Sequence, residues 1–216
     1  MSDSTLVIVA GPPSGELAEG LACWGHRVWE VGPEPIPEMA SGLGDLSLVW
    51  LHPRARLDAA LREALDGVCG LEEPCVATAV HVARESGTTV PLGERVVAAS
   101  QAAATAGTTG LRPKPGAVRR RLDLVVTVDV PGRVGPHLEA VNQESTAVAA
   151  LGAAVGEAPS WRGLAVAPLA GTLRGWWKAR GDRGRAFTVA FLESFVAPAA
   201  AAKLWELRQP EEEPPR

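Results

Sequence analysis

Few residue types in this sequence are spaced for chemistry. No metal-ligand spacing connects the four histidines, which lie far apart: His26, His52, His81 and His137. The three cysteines contain no Cys-x-x-Cys pair, and their number is odd. These features argue against a zinc site and against a disulfide framework, and they suit a reducing cytoplasm. We therefore expect a cytoplasmic protein that holds no metal ion and no cofactor.

Arginine side chains offer a second kind of chemistry, the binding of phosphate. Arg54 and Arg56 follow a predicted strand, and a basic run occupies residues 119–121. Guanidinium groups form paired hydrogen bonds with phosphate, so these arginines have the charge to neutralise a diphosphate without a metal ion. Nothing else in the sequence supports that role, and a solvated basic surface is the simpler interpretation.

The first loop, Gly11-Pro-Pro-Ser-Gly15, follows a buried strand and precedes a helix. It has neither the G-x-G-x-x-G spacing of dinucleotide-binding folds nor the G-x-x-x-x-G-K-[ST] spacing of P-loops. Pro12 and Pro13 also remove two backbone N–H groups that such a loop would direct at phosphate. A Rossmann-like nucleotide-binding module therefore stays only as an alternative.

The elements that must position these residues predict an α/β domain. A strand, a helix and a second strand follow one another within about 30 residues, which is a β-α-β unit with parallel strands. Further strands are predicted at residues 46–51, 76–83 and 122–130, and an amphipathic helix at residues 57–68. The regular alternation within 122–130 favours an edge position or antiparallel pairing. Residues 101–116, rich in Ala, Thr, Gly and Pro, are predicted to form a mobile loop.

From residue 136 onward the apolar spacing becomes helical. Helices are predicted at about 138–151, 162–178 and 185–207, and Pro168 is expected to kink or split the second. We predict an α/β fold that combines a mixed, Rossmann-like sheet with flanking helices. Its divisions would be an α/β domain over residues 1–135, a helical C-terminal subdomain over 136–208 and a disordered tail over 209–216.

Charge is divided unevenly along the chain. Residues 1–160 carry 12 basic and 19 acidic side chains, whereas residues 161–208 carry 8 basic and 3 acidic ones, a net charge of +5. Tryptophans and cations are interleaved in the basic segment, as in helices that lie in a membrane interface. The predicted contacts with anionic lipid or another partner are Trp176, Trp177, Lys178, Arg180, Arg183 and Arg185. In the alternative interpretation these cations are solvated, and a stripe of phenylalanines packs onto the domain: Phe187, Phe191 and Phe195.

Two segments near the C-terminal end resemble one protein family. His137-Leu-Glu-Ala-Val-Asn-Gln-Glu-Ser-Thr146 opens a predicted helix, and Ala202-Lys-Leu-Trp-Glu-Leu-Arg208 closes the last one. They are similar to the H-L-x-K-x-N-x-Y-S-T and K-Y-A-K-L-W-E-L segments of family-2 glycosyltransferases of lipopolysaccharide core biosynthesis. Gly44-Asp-Leu-Ser-Leu-Val-Trp-Leu51 also resembles the G-D-W-V-L-x-L strand of that family. The resemblance implies a shortened GT-A type fold and a role in cell-envelope glycan synthesis.

The resemblance also implies a donor site that this sequence does not reproduce. In the family, an Asp-x-Asp at the end of the third strand grips a divalent metal that holds the donor diphosphate. Here the position is His-Pro-Arg at residues 52–54, and proline and arginine cannot ligate magnesium or manganese. The acidic segment after the second strand is reduced to Glu34. Asp123 stands where the family has an acid suited to act as general base, or else it is a polar residue on an exposed strand face.

Three functions are compatible with these residues. The first is a glycosyltransferase-like protein that no longer transfers sugar. It would bind or scaffold at the inner face of the plasma membrane, with anionic lipid, a lipid-linked glycan or a protein of envelope glycan synthesis as partner. The second is an active, metal-independent glycosyltransferase, in which Glu34, Arg54 and Arg56 contact the sugar nucleotide and Asp123 is the base. The third is the Rossmann-like nucleotide-binding module, and none of the three implies a nucleic-acid partner.

Overall fold

The structure, a computed structural model, describes residues 5–34, 43–108, 110–158 and 167–209. The strands in these ranges are β1 (Thr5–Ala10), β2 (Arg27–Val31), β3 (Ser47–Leu51), β4 (Cys75–Glu85), β5 (Thr88–Ala99), β6 (Ala104–Gly107), β7 (Gly110–Pro113) and β8 (Val118–Asp129). The α-helices are α1 (Gly15–Ala22), α2 (Ala59–Cys69), α3 (Val134–Ala154), α4 (Ala167–Lys178) and α5 (Arg183–Glu206).

Six strands form one mixed sheet in the order β2-β1-β3-β5-β4-β8. β1 pairs in parallel with β2 and β3, and β4 pairs in parallel with β8. β5 runs antiparallel between β3 and β4, while β6 and β7 form a separate antiparallel hairpin. The predicted α/β class, with a mixed Rossmann-like sheet and flanking helices, is confirmed.

The two central parallel strands, β1 and β3, are buried on both faces of the sheet. This is the expected state of parallel strands that are covered by helices on both sides. On one face α1 and α2 pack through leucines such as Leu17 and Leu65. On the other face α3 contributes Val148 and Leu151, and α5 contributes Ala200. The C-terminal helices therefore share one hydrophobic core with the sheet.

Strand β5 is an element that the sequence analysis missed. Ser86 and Gly87, with φ of 40° and 84°, form the two-residue turn that joins β4 to β5. Turns with two positive φ angles favour tight hairpins, because their backbone twist matches that of the strands. Pro91 and Gly93 obscure the strand pattern, and the register against β4 shifts between them. Such an irregularity tolerates both residue types within a strand.

The prediction of a mobile loop at residues 101–116 is wrong, because this segment contains the β6–β7 hairpin. Glu157, just after α3, holds the hairpin in place. The backbone N–H and the hydroxyl of Thr108 donate to its carboxylate at 2.7 and 2.8 Å, and Arg112 pairs with the same group. The hairpin is stabilised by a carboxylate 49 residues away in the sequence. It lacks the local apolar pattern by which strands are predicted.

Strand β8 lies at the sheet edge, as predicted, but the suggested antiparallel pairing is wrong. β8 runs parallel to β4. The reason is the missed strand: β5 carries the chain back along β4, so the chain reaches β8 at the end of the sheet from which β4 started.

The three predicted C-terminal helices are present. α4 begins at Ala167, so Pro168 lies in its first turn, where its missing N–H costs no helical hydrogen bond. The first part of the predicted helix, residues 162–166, lies outside the described residues. α5 starts after Asp182, whose carboxylate accepts a hydrogen bond from the backbone N–H of Arg185 at 2.7 Å. Of the predicted tail, only Gln209 is among the described residues.

Candidate functional site

The carboxyl ends of β1 and β3 meet at one edge of the sheet. From β1 the chain passes to β2 on one side and later to β3 on the other, so a topological switch point lies between β1 and β3. Open α/β sheets bind ligands in the crevice at such a point. Here α3 packs into it: a Cβ on Gly11, which directly follows β1, would lie 3.5 Å from the Cα of Glu144. Helix backbone therefore occupies part of the crevice.

Five ionisable side chains form a buried ion-pair network at this edge. We use this name for His52, Arg54, His137, Glu144 and Glu193, which are between 2% and 8% exposed. The Nη2 of Arg54 donates to Oε1 of Glu193 at 2.8 Å, and the Nε2 of His137 lies 2.8 Å from the same oxygen. On the other side, His52 Nε2 and Arg54 Nη2 lie 3.2 and 3.6 Å from Oε2 of Glu144.

The five members of the network come from three parts of the fold. His52 and Arg54 follow β3, His137 and Glu144 lie on α3, and Glu193 lies on α5. Nδ1 of His52 lies 3.1 Å from the backbone nitrogen of Arg54 and accepts its hydrogen bond when the ring is neutral. The network thus ties two C-terminal helices to the end of a central strand.

The charges in the network support one another against the cost of burial. Burial would raise the pKa of Glu193, but Arg54, His137 and His52 outweigh it and hold the pKa well below its usual range. Burial would lower the pKa of His52, but Glu144 and Glu193 outweigh it and raise the pKa above 6.5. Glu193 is therefore a carboxylate at neutral pH, and a proton on His52 is favoured.

The cation between the two carboxylates is a guanidinium group. Nε and Nη1 of Arg54 and Oε2 of Glu144 are buried without a hydrogen-bond partner among the described residues, although Oε2 keeps its ionic contacts. Within the same residues, no group of three or more His, Cys, Asp or Glu side chains is placed to hold a metal ion. At the position where the resemblance would put a metal, the chain supplies Arg54 instead.

A cavity of about 430 Å³ adjoins the network. Its walls come from β3, β5, α3, α4 and α5, and Trp50 lines one side. Gly171 and Gly175 keep α4 close to α5: a Cβ on either would lie 3.2 Å from a Cβ on α5. The polar side chains that line the cavity are Arg95, Thr108, Glu144, Arg174, Glu193 and Ser194. The cavity therefore combines an indole ring, carboxylates, guanidinium groups and hydroxyls.

The residues predicted to contact a nucleotide are not brought together. Arg54 belongs to the buried network, whereas Arg56 is on the surface, where its Nε pairs with Asp129 Oδ2 at 2.5 Å. Glu34 is exposed at the end of a described segment. In the basic run 119–121, Arg120 pairs with Glu73 at the surface. Of these predicted contacts, only Arg54 reaches the crevice, and Glu193 and Glu144 already bind it.

The candidate base Asp123 lies away from the network. It is exposed on the edge strand β8, six residues before Asp129, the end of the strand that lies beside Arg54. Six residues of extended strand span about 20 Å. The surface position agrees with the alternative interpretation of Asp123 as a polar residue on an exposed strand face.

Most of the predicted membrane or partner contacts are exposed: Trp177, Lys178, Arg180, Arg183 and Arg185. Trp176 is half-buried, and its ring meets Phe187 edge-on at 6.1 Å. The phenylalanine stripe lies on the exposed side of α5. The suggestion that this stripe packs onto the domain is therefore wrong, because the inner side of α5 is taken by smaller residues and by Glu193.

Glu144 and Glu193 are site residues that sequence analysis did not identify. Each lies in a segment whose apolar spacing predicts a helix, and a single acid in such a segment resembles an ordinary solvent-facing residue. One signal was available for Glu193, the only acid between residues 183 and 205. A lone carboxylate inside a long apolar run indicates a buried partner of opposite charge.

The two C-terminal segments quoted for the family resemblance meet in the structure. Nζ of Lys203 lies 2.7–2.8 Å from four oxygens, to which its three N–H groups can donate: the backbone carbonyl and Oδ1 of Asn142, Ser145 Oγ and Thr146 Oγ1. The polar residues of the first segment thus bind the lysine of the second. This contact gives both segments a structural role in joining α3 to α5.

Comparisons with protein-family models, with curated proteins and with solved structures find no match.

Proposed function

We propose that this chain is a family-2 glycosyltransferase-like protein of cell-envelope glycan synthesis that binds or scaffolds instead of transferring sugar. The observation that carries the proposal is the environment of Arg54. Its guanidinium group lies between Glu193 and Glu144 at the end of β3, where the resemblance puts a metal-binding acidic motif. A protein cation held by two protein carboxylates leaves little charge for a donor diphosphate.

The first alternative, a metal-independent glycosyltransferase, needs a free cation near the donor. Such an enzyme would stabilise the leaving diphosphate with guanidinium groups. Arg54 would have to leave Glu193, and Arg56 would have to leave Asp129 and turn inward from the surface. The first of these movements would leave the buried carboxylate of Glu193 without its guanidinium partner, which costs several kcal/mol. These contacts disfavour a donor site built on Arg54 and Arg56.

The second alternative, a Rossmann-like nucleotide-binding module, needs an open crevice and backbone N–H groups at the first loop. The backbone of α3 lies against Gly11 instead, and Pro12 and Pro13 supply no N–H. The N–H of Ser14 is also used, donating to the carbonyl of Pro53 at 2.7 Å. A phosphate would find few donors at this loop.

The cavity beside the network suits the glycan part of the proposal. Carboxylates accept hydrogen bonds from hydroxyls, guanidinium groups donate to sugar oxygens, and an indole face packs on the apolar side of a sugar ring. Glu144, Arg95 and Trp50 supply one group of each kind. We therefore propose that the cavity holds a sugar residue of a lipid-linked glycan.

A thermal-shift panel tests this proposal. Sugar nucleotides with uridine, guanosine, adenosine and cytidine bases are each added with manganese, with magnesium and with chelator, and soluble envelope oligosaccharides form a second panel. A ligand at a hundredfold over its dissociation constant stabilises the fold by about 2.7 kcal/mol. We expect no shift with any sugar nucleotide and a shift with an oligosaccharide that Arg95→Ala removes.

Arg119→Ala, an exposed arginine on β8, is the matched control and should keep the oligosaccharide shift. A metal-dependent shift with one donor would overturn the proposal outright. A donor shift that survives chelator would establish the metal-independent enzyme in its place. A shift with a free nucleotide alone would favour the Rossmann-like module.

A further inference from the structure

The hairpin of α4 and α5 turns an apolar surface to solvent. Three large side chains recur every four residues on α4 and are 57–78% exposed, and three more recur every four residues on α5 and are 44–47% exposed. We call these six residues the outer face: Leu169, Leu173, Trp177, Phe187, Phe191 and Phe195. Large apolar side chains exposed in such a regular pattern mark an interaction site.

The packing of the two helices explains why these side chains point away from the sheet. Thr172 and Ser194 join the helices by a hydrogen bond of 2.7 Å between their hydroxyls. A Cβ on Gly175 of α4 would lie 3.2 Å from Ala190 of α5 and 3.3 Å from Val90 of β5. The inner side of α5 carries Glu193, which faces the network. The side of each helix opposite these contacts is therefore the outer face.

Aromatic contacts make the outer face continuous along α5. The rings of Phe187 and Phe191 stack with centroids 6.3 Å apart, and those of Phe191 and Phe195 lie 5.9 Å apart. Trp176 of α4 meets Phe187 edge-on and so joins the two helices. The three phenylalanine rings pack against one another, and each keeps close to half of its surface in solvent.

Cations cluster at the end of the hairpin where the outer face terminates. Lys178, Arg180 and Arg183 are exposed there, and no ion pair within the described residues joins any of them to an acid. The acid nearest in sequence, Asp182, caps α5. Arg185 adds a further charge, with only a 3.8 Å contact to Glu85. This end of the hairpin is therefore strongly positive.

We infer that the outer face docks on a bilayer that contains anionic lipid. The apolar side chains would enter the boundary between headgroups and acyl chains, and the cations at the turn would meet lipid phosphates. The charge favours this occupant over an apolar protein surface, because unpaired lysine and arginine beside a buried protein interface would need acidic partners. The inference stands whether or not the chain binds a glycan.

The structure favours docking in the membrane plane over crossing the membrane. By length and composition α5 could cross a bilayer, since an 18-residue window within it has a mean hydropathy of 1.4. Its inner side, however, carries Glu193 in an ion pair with Arg54, and 39% of its apolar window is buried in the fold. Crossing would break that packing and leave charged groups in lipid.

Sedimentation of the full chain with vesicles tests the inference. Vesicles of phosphatidylcholine alone are compared with vesicles that contain roughly 30% phosphatidylglycerol. We expect at least about tenfold tighter binding to the anionic vesicles, and we expect this preference to weaken as salt is raised because salt screens the cations. Equal binding to both vesicles, or no binding by protein that melts cooperatively, would overturn the inference.

Two pairs of variants separate the apolar and charged contributions. Leu173→Gln with Trp177→Gln should reduce binding to anionic vesicles at least about tenfold, because both side chains lose their place in the interface. Lys178→Glu with Arg180→Glu should reduce it by a similar factor and remove the salt dependence. Circular-dichroism melting should show that both double variants fold as the wild type does.

Matched substitutions on β8 are the controls. Arg119→Glu with Arg121→Glu reverses two exposed arginines elsewhere, and Val125→Gln changes an exposed apolar residue. All three should leave vesicle binding within about twofold of wild type. Loss of binding in these controls equal to that in the hairpin variants would overturn the assignment to the outer face.

Two other occupants of the outer face would be detected directly. Analytical ultracentrifugation that finds a dimer, and finds a monomer for Leu173→Gln with Trp177→Gln, would show that the outer face joins two copies. Vesicle-bound protein that resists alkaline carbonate would show that α5 is embedded. Either result would overturn docking at the bilayer surface.

Discussion

The two sides of helix α5 have opposite character. The inner side holds Glu193, which is buried and paired with Arg54 and His137. The outer side holds Phe191 and Phe195, which keep 44% and 46% of their surface exposed. Helices on soluble domains ordinarily bury their rings and expose their charges. The reversal implies that ion pairing within the fold determines the residues of the inner side. Contact with another molecule or a membrane determines those of the outer side.

The inner side of α5 stabilises the fold, whereas the outer side is exposed and open to contact with another molecule. The buried network should be sensitive to any change of charge, because its members have no water to replace a lost partner. The outer face should tolerate substitution in the folded state, because its side chains make few contacts that unfolding would remove. Four measurements, taken from the largest expected effect to the smallest, test this contrast.

Loss of the charge on Glu193 should have the largest effect. Glu193→Gln leaves Arg54 with one distant carboxylate at 3.6 Å, and we expect a loss of about 4 kcal/mol in the free energy of unfolding. Urea unfolding followed by circular dichroism measures it. Glu73→Gln, which breaks the exposed pair with Arg120, is the control and should cost less than about 1 kcal/mol. Similar losses in the two variants would remove the distinction between buried and exposed pairs.

The pH dependence of stability should depend on two buried histidines in opposite ways. Burial, with help from Arg95 and His52, lowers the pKa of His81 to about 3, so acid favours the unfolded chain, and His81 costs about 2 kcal/mol between pH 6.5 and pH 5. The raised pKa of His52 gives a stabilising contribution that is fully present below pH 6.5 and lost as pH rises through the folded value.

Unfolding at pH 5, 6.5 and 8 distinguishes these two contributions. His81→Gln should reduce the loss of stability between pH 6.5 and 5. His52→Gln should cost more at pH 6.5 than at pH 8, because the neutral amide gains no proton. If His81→Gln retained the wild-type slope on the acid side, the assignment of that loss to His81 would be wrong.

A methyl group added at Gly152 should have a smaller effect on the interior. A Cβ there would lie 2.4 Å from Cγ2 of Thr108 and 3.2 Å from Leu204. Thr108 cannot move freely because its hydroxyl is bonded to Glu157, so Gly152→Ala should cost about 1.5 kcal/mol by urea unfolding. Gly67→Ala on α2, where the Cβ would meet nothing within 4 Å, should instead gain about 0.5 kcal/mol. A gain at both positions would contradict the close approach at Gly152.

The smallest effect on stability should come from the outer face. Phe191→Ser replaces a ring that is 44% exposed and touches mainly other exposed rings. We expect the free energy of unfolding to change by less than about 1 kcal/mol, while binding to anionic vesicles falls. Val189→Ser, at a buried position on the same helix, is the comparison and should destabilise by more. A large loss of stability in Phe191→Ser would show that the outer face serves the fold.

Much of the fold could be predicted because local patterns determine it. β1 and β3 are continuous apolar runs, and α2 has leucines at helical spacing, so their positions follow from the sequence. β5 was missed because its pairing with β4 depends on the turn at Ser86 and Gly87. The β6–β7 hairpin was missed because Glu157, which holds it in place, lies elsewhere in the chain. The parallel direction of β8 followed from the missed β5 and could not be predicted without it.

The candidate site was harder to predict than the fold. The sequence identified Arg54 as a cation at the end of a strand, but it did not identify the acids that bind it. Glu144 and Glu193 lie 90 and 139 residues further along the chain, and helical spacing gives no indication of which helix packs on which strand. The outer face was predicted in part, since Trp177 was named, whereas Leu169 and Leu173 became visible as members only when α4 and α5 were placed side by side.

The position of Glu193 in the sequence also determines when its contacts can form during synthesis of the chain. The partner of Arg54 is made 139 residues after it, and Lys203, which joins α5 to α3, is made later still. A growing chain that has completed the sheet carries an arginine at the end of β3 with no carboxylate beside it. Contacts of such large sequence separation form slowly, because the chain must lose the entropy of closing a long loop before these contacts stabilise it. We therefore expect the nascent sheet to be only partly stable until α5 has been synthesised and can pack against it.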